Sequence, residues 1–206
     1  MSWLMAAVYD RFMCGSEEAC LAQWRAELLR ELSGEVLEVG AGTGVTLPHY
    51  PKSVTRLTLC EPDAHMRRKL KTKADSSGLR NIEISGASLE SLRYDAASFD
   101  AVVCSLVLCS VPDQAAALAE IRRVLKPAGR LAFLEHVAAD GKPRRLLWQR
   151  RIEPVWKHLM GNCHLTRRTE SAIAAAGFRF ERIQRESIRK ALPIVRPSIR
   201  GIARKL

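Results

Sequence analysis

Between Glu35 and Val137, short apolar runs alternate with helix-patterned stretches, and few folds accept that rhythm. The runs are EVLEVG (35–40), Leu57 to Cys60, Asn81 to Ser85, Ser98 to Leu108 and Gly129 to Val137. They are rich in Val, Leu and Ile, and read as buried strands. Between them, Ala64 to Ala74 reads as a charged helix, and Asp113 to Leu125 as a helix opened by an Asp cap. A further helical stretch is expected after Gly44, and KPAG (126–129) is expected to turn. Strands alternating with helices pair in parallel, with right-handed crossovers and helices on both faces. Ligands in such α/β sheets sit at the carboxyl ends of the strands.

The flanks extend this pattern. Ser16 to Leu32 is helical, with Ser16 as its expected cap and Leu21, Trp24, Leu28 and Leu32 on one face. Ser33-Gly34 should stop it. Residues 138–165 contain Trp, His and Arg and show no strand pattern. Thr166 to Ala176 reads as another helix, closed by Gly177. FRFERIQRESI and VRPSIRGIARK then alternate like strands, and an antiparallel pair there would finish the sheet.

A chain of 206 residues, 47% hydrophobic and 27% charged, suits one soluble domain. No apolar run approaches the roughly 20 residues of a spanning helix. The N-terminus lacks a positive n-region and a cleavage site, so a cytoplasmic location is expected. The six cysteines have no Cys-x-x-Cys spacing, which favours free thiols over disulfides or zinc. His158, Cys163 and His164 lack a fourth ligand at zinc spacing, so no metal is expected.

The net charge of +11 is concentrated in residues 142–206, with 17 Lys and Arg against 4 Asp and Glu. A membrane surface, a nucleic acid or an acidic substrate would suit that segment, as would a merely solvated face. Peripheral contact with an anionic membrane ranks ahead of nucleic acid, because the arginines carry no aromatic stacking platform.

The first strand ends in LEVGAGTG (37–44). No lysine follows in the register of a Walker loop, and Gly40, Gly42 and Gly44 give G-x-G-x-G where a dinucleotide fingerprint needs G-x-G-x-x-G. Glu38, two residues before the first glycine, would repel a pyrophosphate. It suits a cationic nucleoside such as S-adenosylmethionine (SAM), which has a sulfonium and an ammonium and no phosphate. Glu61, at the end of the second strand, can accept both hydroxyls of a ribose.

E-x-G-x-G-x-G, LCEPD, ESLRYDAASFDAVVCSLVLCSV and IRRVLKPAGRLAFLEHV, in that order over residues 35–137, resemble the class I SAM-dependent methyltransferases. The resemblance implies a Rossmann-like, doubly wound seven-stranded sheet, mostly parallel with an antiparallel last strand. It divides one domain (1–206) into an N-terminal helical lid (1–33), a SAM-binding core (34–137) and a substrate-side segment with closing strands (138–206). VVCSLVLCSV, LEHVA and the pattern Trp148, Trp156, Cys163, Leu165, Thr166, Arg167 are similar to the group of alkyl-thiol methyltransferases. The acceptor implied is a small apolar molecule such as an alkyl thiol. A lipid or quinone methyltransferase docked on anionic membrane is the alternative, and an RNA-binding or RNA-modifying protein ranks last.

Carried over residue by residue, Glu38, Gly40, Gly42 and Gly44 would line the methionine end of SAM and Glu61 the ribose. Pro62 and Asp63 would flank the adenine, with Ser88 and Leu89 at its amino edge. Cys104 and Ser105 would pass beneath the sulfonium. Methyl transfer is an in-line displacement that depends mainly on alignment. His136, beside Glu135 at the end of the fifth strand, is the candidate general base. Trp148 and Trp156, eight apart, would line the acceptor pocket with His136, and Tyr9 would close over it. Cys104 and Cys109 read as buried packing residues.

Overall fold

The computed structural model describes residues 13–206. Strands lie on each of the five apolar runs: β1 (Gly34–Val39), β2 (Val54–Cys60), β3 (Ile82–Ser85), β4 (Phe99–Ser105) and β5 (Leu125–His136). These pair in parallel. Two more, β6 (Phe178–Ser187) and β7 (Pro197–Lys205), complete a sheet of order β3-β2-β1-β4-β5-β7-β6. β7 runs antiparallel to both neighbours, so it alone reverses the sheet's direction.

The helices cover both faces because strand side chains alternate. Leu37, Val102 and Phe133 belong to one apolar cluster, with α3 (Gln114–Val124) and α5 (Thr169–Ala175) supplying Leu118, Ile121 and Ile173. Val36, Val103 and Leu134 belong to the other. There α1 (Ala22–Leu29), entered through a π-helical turn at Glu17–Leu21, contributes Trp24, Leu28 and Leu29, and α2 (Ala64–Asp75) contributes Leu70. Each large side chain buried this way contributes about 1.5–3 kcal/mol. The carboxylates of Asp63 and Asp113 accept two backbone N–H groups each and cap α2 and α3.

Several local expectations are corrected. Ser16 has helical φ and ψ and makes no side-chain cap, since the chain is already helical at residue 13. The residues around α1 pack into the core, Met13 and Ser16 also line a cavity, and residues 1–12 of the expected lid lie outside the described residues. After Gly44 there is only a 3-10 turn, Leu47–His49, interrupted by Pro48 and followed by Pro51. KPAG does turn, but inside β5. The pairing jumps from Phe99–Leu125 to Ala101–Arg130, and Ala128 takes a positive φ. Residues 143–159, without strand pattern, form the longest helix described, α4 (Pro143–Leu159), with Pro143 in its first turn. Among the described residues no helix is long and apolar enough to cross a membrane.

Gly201 shows how closely β7 is held. A Cβ there would lie 2.2 Å from the Arg182 carbonyl oxygen and 3.0 Å from the Ile183 Cα. Backbone cannot yield as a side-chain tip can. Gly201→Ala should therefore lower stability by roughly 1–3 kcal/mol in urea denaturation. An unchanged midpoint would show that β6 moves freely.

Candidate active site

Three glycines carry β1 into its loop with positive φ: Gly40 at 64°, Gly42 at 58° and Gly44 at 79°. At Gly40 the space is also taken, because a Cβ would sit 2.3 Å from Val107 Cγ2. Glu61, just past β2, clamps the loop. Its Oε2 accepts the Gly42 N–H at 2.8 Å and its Oε1 the Asp63 N–H at 2.9 Å. Burial pushes its carboxyl up from the ordinary value, against the pull of those two amides.

Glu38 lies elsewhere than expected. It is buried beneath the loop, where its carboxylate accepts the Thr46 hydroxyl at 2.7 Å and the Tyr50 hydroxyl at 2.9 Å. It braces the loop from below and does not line the cavity above. Burial raises its carboxyl to about 7.

That cavity, of about 510 Å³, opens at the carboxyl ends of the strands. Gly40, Gly42, Glu61 and Pro62 line one end, with Ser105 between. His136 and Trp156 line the other. The remaining predicted residues are placed differently. Gly44 packs against Leu47 and Leu70, and Leu89 and Cys104 are buried in the core. The Ser88 hydroxyl pairs with Ser91. Trp148 is 56% exposed on the outer side of α4. Eight helical residues rotate a side chain by about 80°, which separates it from Trp156. Tyr9 lies outside the described residues.

At the His136 end the structure brings together residues that the sequence keeps apart. Cys109, in the turn after β4, His136, at the end of β5, and Cys163, in the turn after α4, place their donor atoms within 4.8 Å of one another. His136 Nε2 is 2.9 Å from Cys163 Sγ, and the Trp156 indole N–H donates to that sulfur at 3.3 Å. The Cys109 thiol, His136 and the Trp156 N–H pull the Cys163 thiol below its ordinary value, against the burial that opposes it. The same thiol pairing, then burial, pushes Cys109 well up. His136 Nδ1 is buried and has no hydrogen-bond partner among the described residues. With one ring nitrogen engaged and the other buried, His136 belongs to a cluster with the two cysteines.

Glu135 sets the position of this cluster. Fully buried, its carboxylate accepts the N–H groups of Val107 and Leu108, each at 2.9 Å, and of Cys109 at 3.3 Å. The Cys163 turn is tied to the Cys109 turn in its own way: His164 N–H donates to the Cys109 carbonyl, and the Asn162 amide to the Ser110 carbonyl, both at 2.8 Å. Neither Cys109 nor Cys163 carries a spacing signal, since 53 residues separate them.

A doubly wound sheet with one reversed strand, a G-x-G-x-G loop and an acid closing it from the next strand defines the class I methyltransferase fold. Residues 37–133 match the methyltransferase domain. Thiol S-methyltransferase TMT1A of Homo sapiens is 36% identical over 184 residues, which is 86% of this chain and 75% of the human protein. Thiol S-methyltransferase TMT1B of Rattus norvegicus is 42% identical over 154 residues, 73% of this chain. That match spans 63% of the rat protein's length. A SAM-dependent methyltransferase structure from Thermotoga maritima superposes with a TM-score of 0.70 at 18% identity, covering 99% of this chain and 97% of the other. The chain belongs to the methyltransferase family of these thiol S-methyltransferases.

Glu38 makes the loop's support dependent on pH. Its folded value of about 7 lies above the ordinary 4.5, so its contribution to stability is complete below pH 4.5 and is lost as pH rises through 7. Glu38→Gln removes that dependence. Between pH 4.5 and about 8, stability should shift in the variant's favour by on the order of 3 kcal/mol in urea denaturation. Parallel pH profiles for the two proteins would refute the assignment.

Proposed function

We propose that the chain is a SAM-dependent methyltransferase that methylates the sulfur of a small apolar thiol. One observation carries this reading: a single cavity joins the glycine loop and Glu61 to a cysteine–histidine cluster. Room for a nucleoside supports it. The Cβ direction of Gly42 is clear except for the Gly40 carbonyl oxygen at 4.0 Å, so the loop is open where a ligand would rest. Glu61 would hold the ribose hydroxyls through the lone pairs its amide bonds leave free. Bound SAM supplies an activated methyl group.

The chain's own task is alignment and exclusion of water, worth on the order of 7–11 kcal/mol when the reacting atoms are held in line. Ile188, Leu192, Val195 and Met160 give the acceptor end an apolar wall that suits an alkyl chain. The acceptor sulfur would lie against the cluster, and there it must be held as thiolate, since an alkyl thiol is mostly protonated at neutral pH. The thiol acceptors in the names of the human and rat relatives agree with this assignment.

Glu61→Ala should weaken SAM binding at least about tenfold in calorimetry, as loss of a charged hydrogen-bond acceptor does. Labelled SAM should methylate alkyl thiols in preference to alcohols of the same length. Transfer to no thiol in a broad panel would end the thiol reading.

A specific observation also favours docking on an anionic membrane. On α4, Leu147, Trp148, Val155 and Leu159 are exposed along one helical face, and the guanidinium of Arg151 sits 5.9 Å from the Trp148 ring. An apolar stripe carrying arginines suits a charged interface, and the same helix sends Trp156 into the cavity. Vesicles with acidic lipid should recruit the protein at low salt and release it as salt rises, with Val155→Asp weakening the recruitment. Failure to float with such vesicles excludes docking.

A further inference from the structure

We propose that Cys109, His136 and Cys163 bind one zinc ion whose fourth position faces the cavity and receives the acceptor sulfur. The inference deepens the thiol-transferase reading and rests on it for the identity of the fourth ligand.

The donor set matches zinc chemistry. Two thiolates and an imidazole form the Cys₂His set that zinc uses where one position is left to a reactant, whereas closed structural sites take four protein ligands. All three residues line the cavity, so the open side of the triangle faces the place where the acceptor would lie.

The three donors are also preorganised. Each donor comes from a separate segment, and hydrogen bonds between the three segments lock them to one another. The Cys109 amide is held by Glu135. His136 is fixed in β5 opposite Ser198 of β7. Cys163 sits on a turn whose neighbour Asn162 bonds to the Ser110 carbonyl. The Trp156 N–H on the Cys163 sulfur is the kind of outer partner that orients a metal-bound thiolate.

Distances fit with a small adjustment. Bonds of about 2.3 Å to sulfur and about 2.0 Å to nitrogen give tetrahedral edges of roughly 3.5–3.8 Å, inside the 4.8 Å span of the donor atoms. The 2.9 Å His136–Cys163 contact must lengthen by about 0.6 Å to admit the ion.

The chemistry balances. Two thiolates neutralise the ion's two charges. An incoming thiol loses its proton to water as its sulfur–zinc bond forms, and a metal-coordinated thiol is deprotonated outright. The acceptor sulfur's electron pair then forms the bond to the methyl carbon. The methyl–sulfonium bond breaks, and its pair stays on the departing sulfur. The product thioether is neutral, a weaker ligand than the thiolate, and leaves.

The test begins with the full chain purified from zinc-supplemented cells without chelator and quantified by plasma mass spectrometry. About one zinc per folded chain is expected, falling at least about tenfold in Cys109→Ser and Cys163→Ser. Cobalt(II) substituted into the unaltered protein, which needs no variant to fold, should show thiolate charge-transfer and tetrahedral visible bands. Hexanethiol should shift the visible bands and hexanol should not. Zinc absent from folded protein, a Cys109–Cys163 disulfide in its place, or cobalt bands indifferent to thiols would each overturn the proposal. Methyl transfer to thiols by metal-free protein would overturn the zinc site and leave the transferase reading standing. Thiol-sensitive cobalt bands without any transfer would support the site and count against that reading.

Discussion

The Glu135 carboxylate is the interaction on which the site depends. Three consecutive N–H groups beyond β4 converge on it, and together they define the turn between strand and helix. Val107 in that turn fills the space left by Gly40, so the carboxylate also limits how the glycine loop can sit. Cys109 in the same turn supplies a sulfur of the cluster, and His136 follows Glu135 directly in β5. An ionised carboxylate without these amides would be prohibitively costly at full burial. Its bonds keep that cost tolerable, although burial still lifts its carboxyl to about 7.

What the sequence made legible was whatever depends on near neighbours. Strand and helix alternation and the Asp113 cap follow from patterns over a dozen residues or fewer, whereas the reversed last strand was implied by the family resemblance. Glu61 was legible because a strand end and an adjacent acid are a local pattern. Glu38 was read for its charge, but its surroundings could not be read. Its partners Thr46 and Tyr50 come from a loop whose prolines turned an expected helix into a single 3-10 turn. Trp148 and Trp156 differ for a geometric reason, since a modest rotation along α4 is enough to separate solvent from cavity.

The cysteine–histidine cluster was illegible for a deeper reason. No spacing rule relates Cys109, His136 and Cys163, because the sheet order and the docking of the α4 turn bring them together. A cysteine flanked by Val and Leu does look like packing, and Cys109 is indeed buried. Its sulfur nonetheless sits against another thiol and an imidazole. Burial and chemistry are independent properties of such a residue, and only the tertiary fold discloses the second.

β7 carries a consequence for how the molecule comes into being. It lies between β5 and β6 although it follows both in the chain, and it pairs with β5 from Arg130 to His136. On the ribosome, the edge of β5 therefore stays bare until residues 197–205 have emerged. Until then His136 lacks its opposing strand. Long-range pairing of this kind is slow and leaves an adhesive strand edge exposed meanwhile. The nascent chain is thus most vulnerable to misassociation at the strand that bears His136.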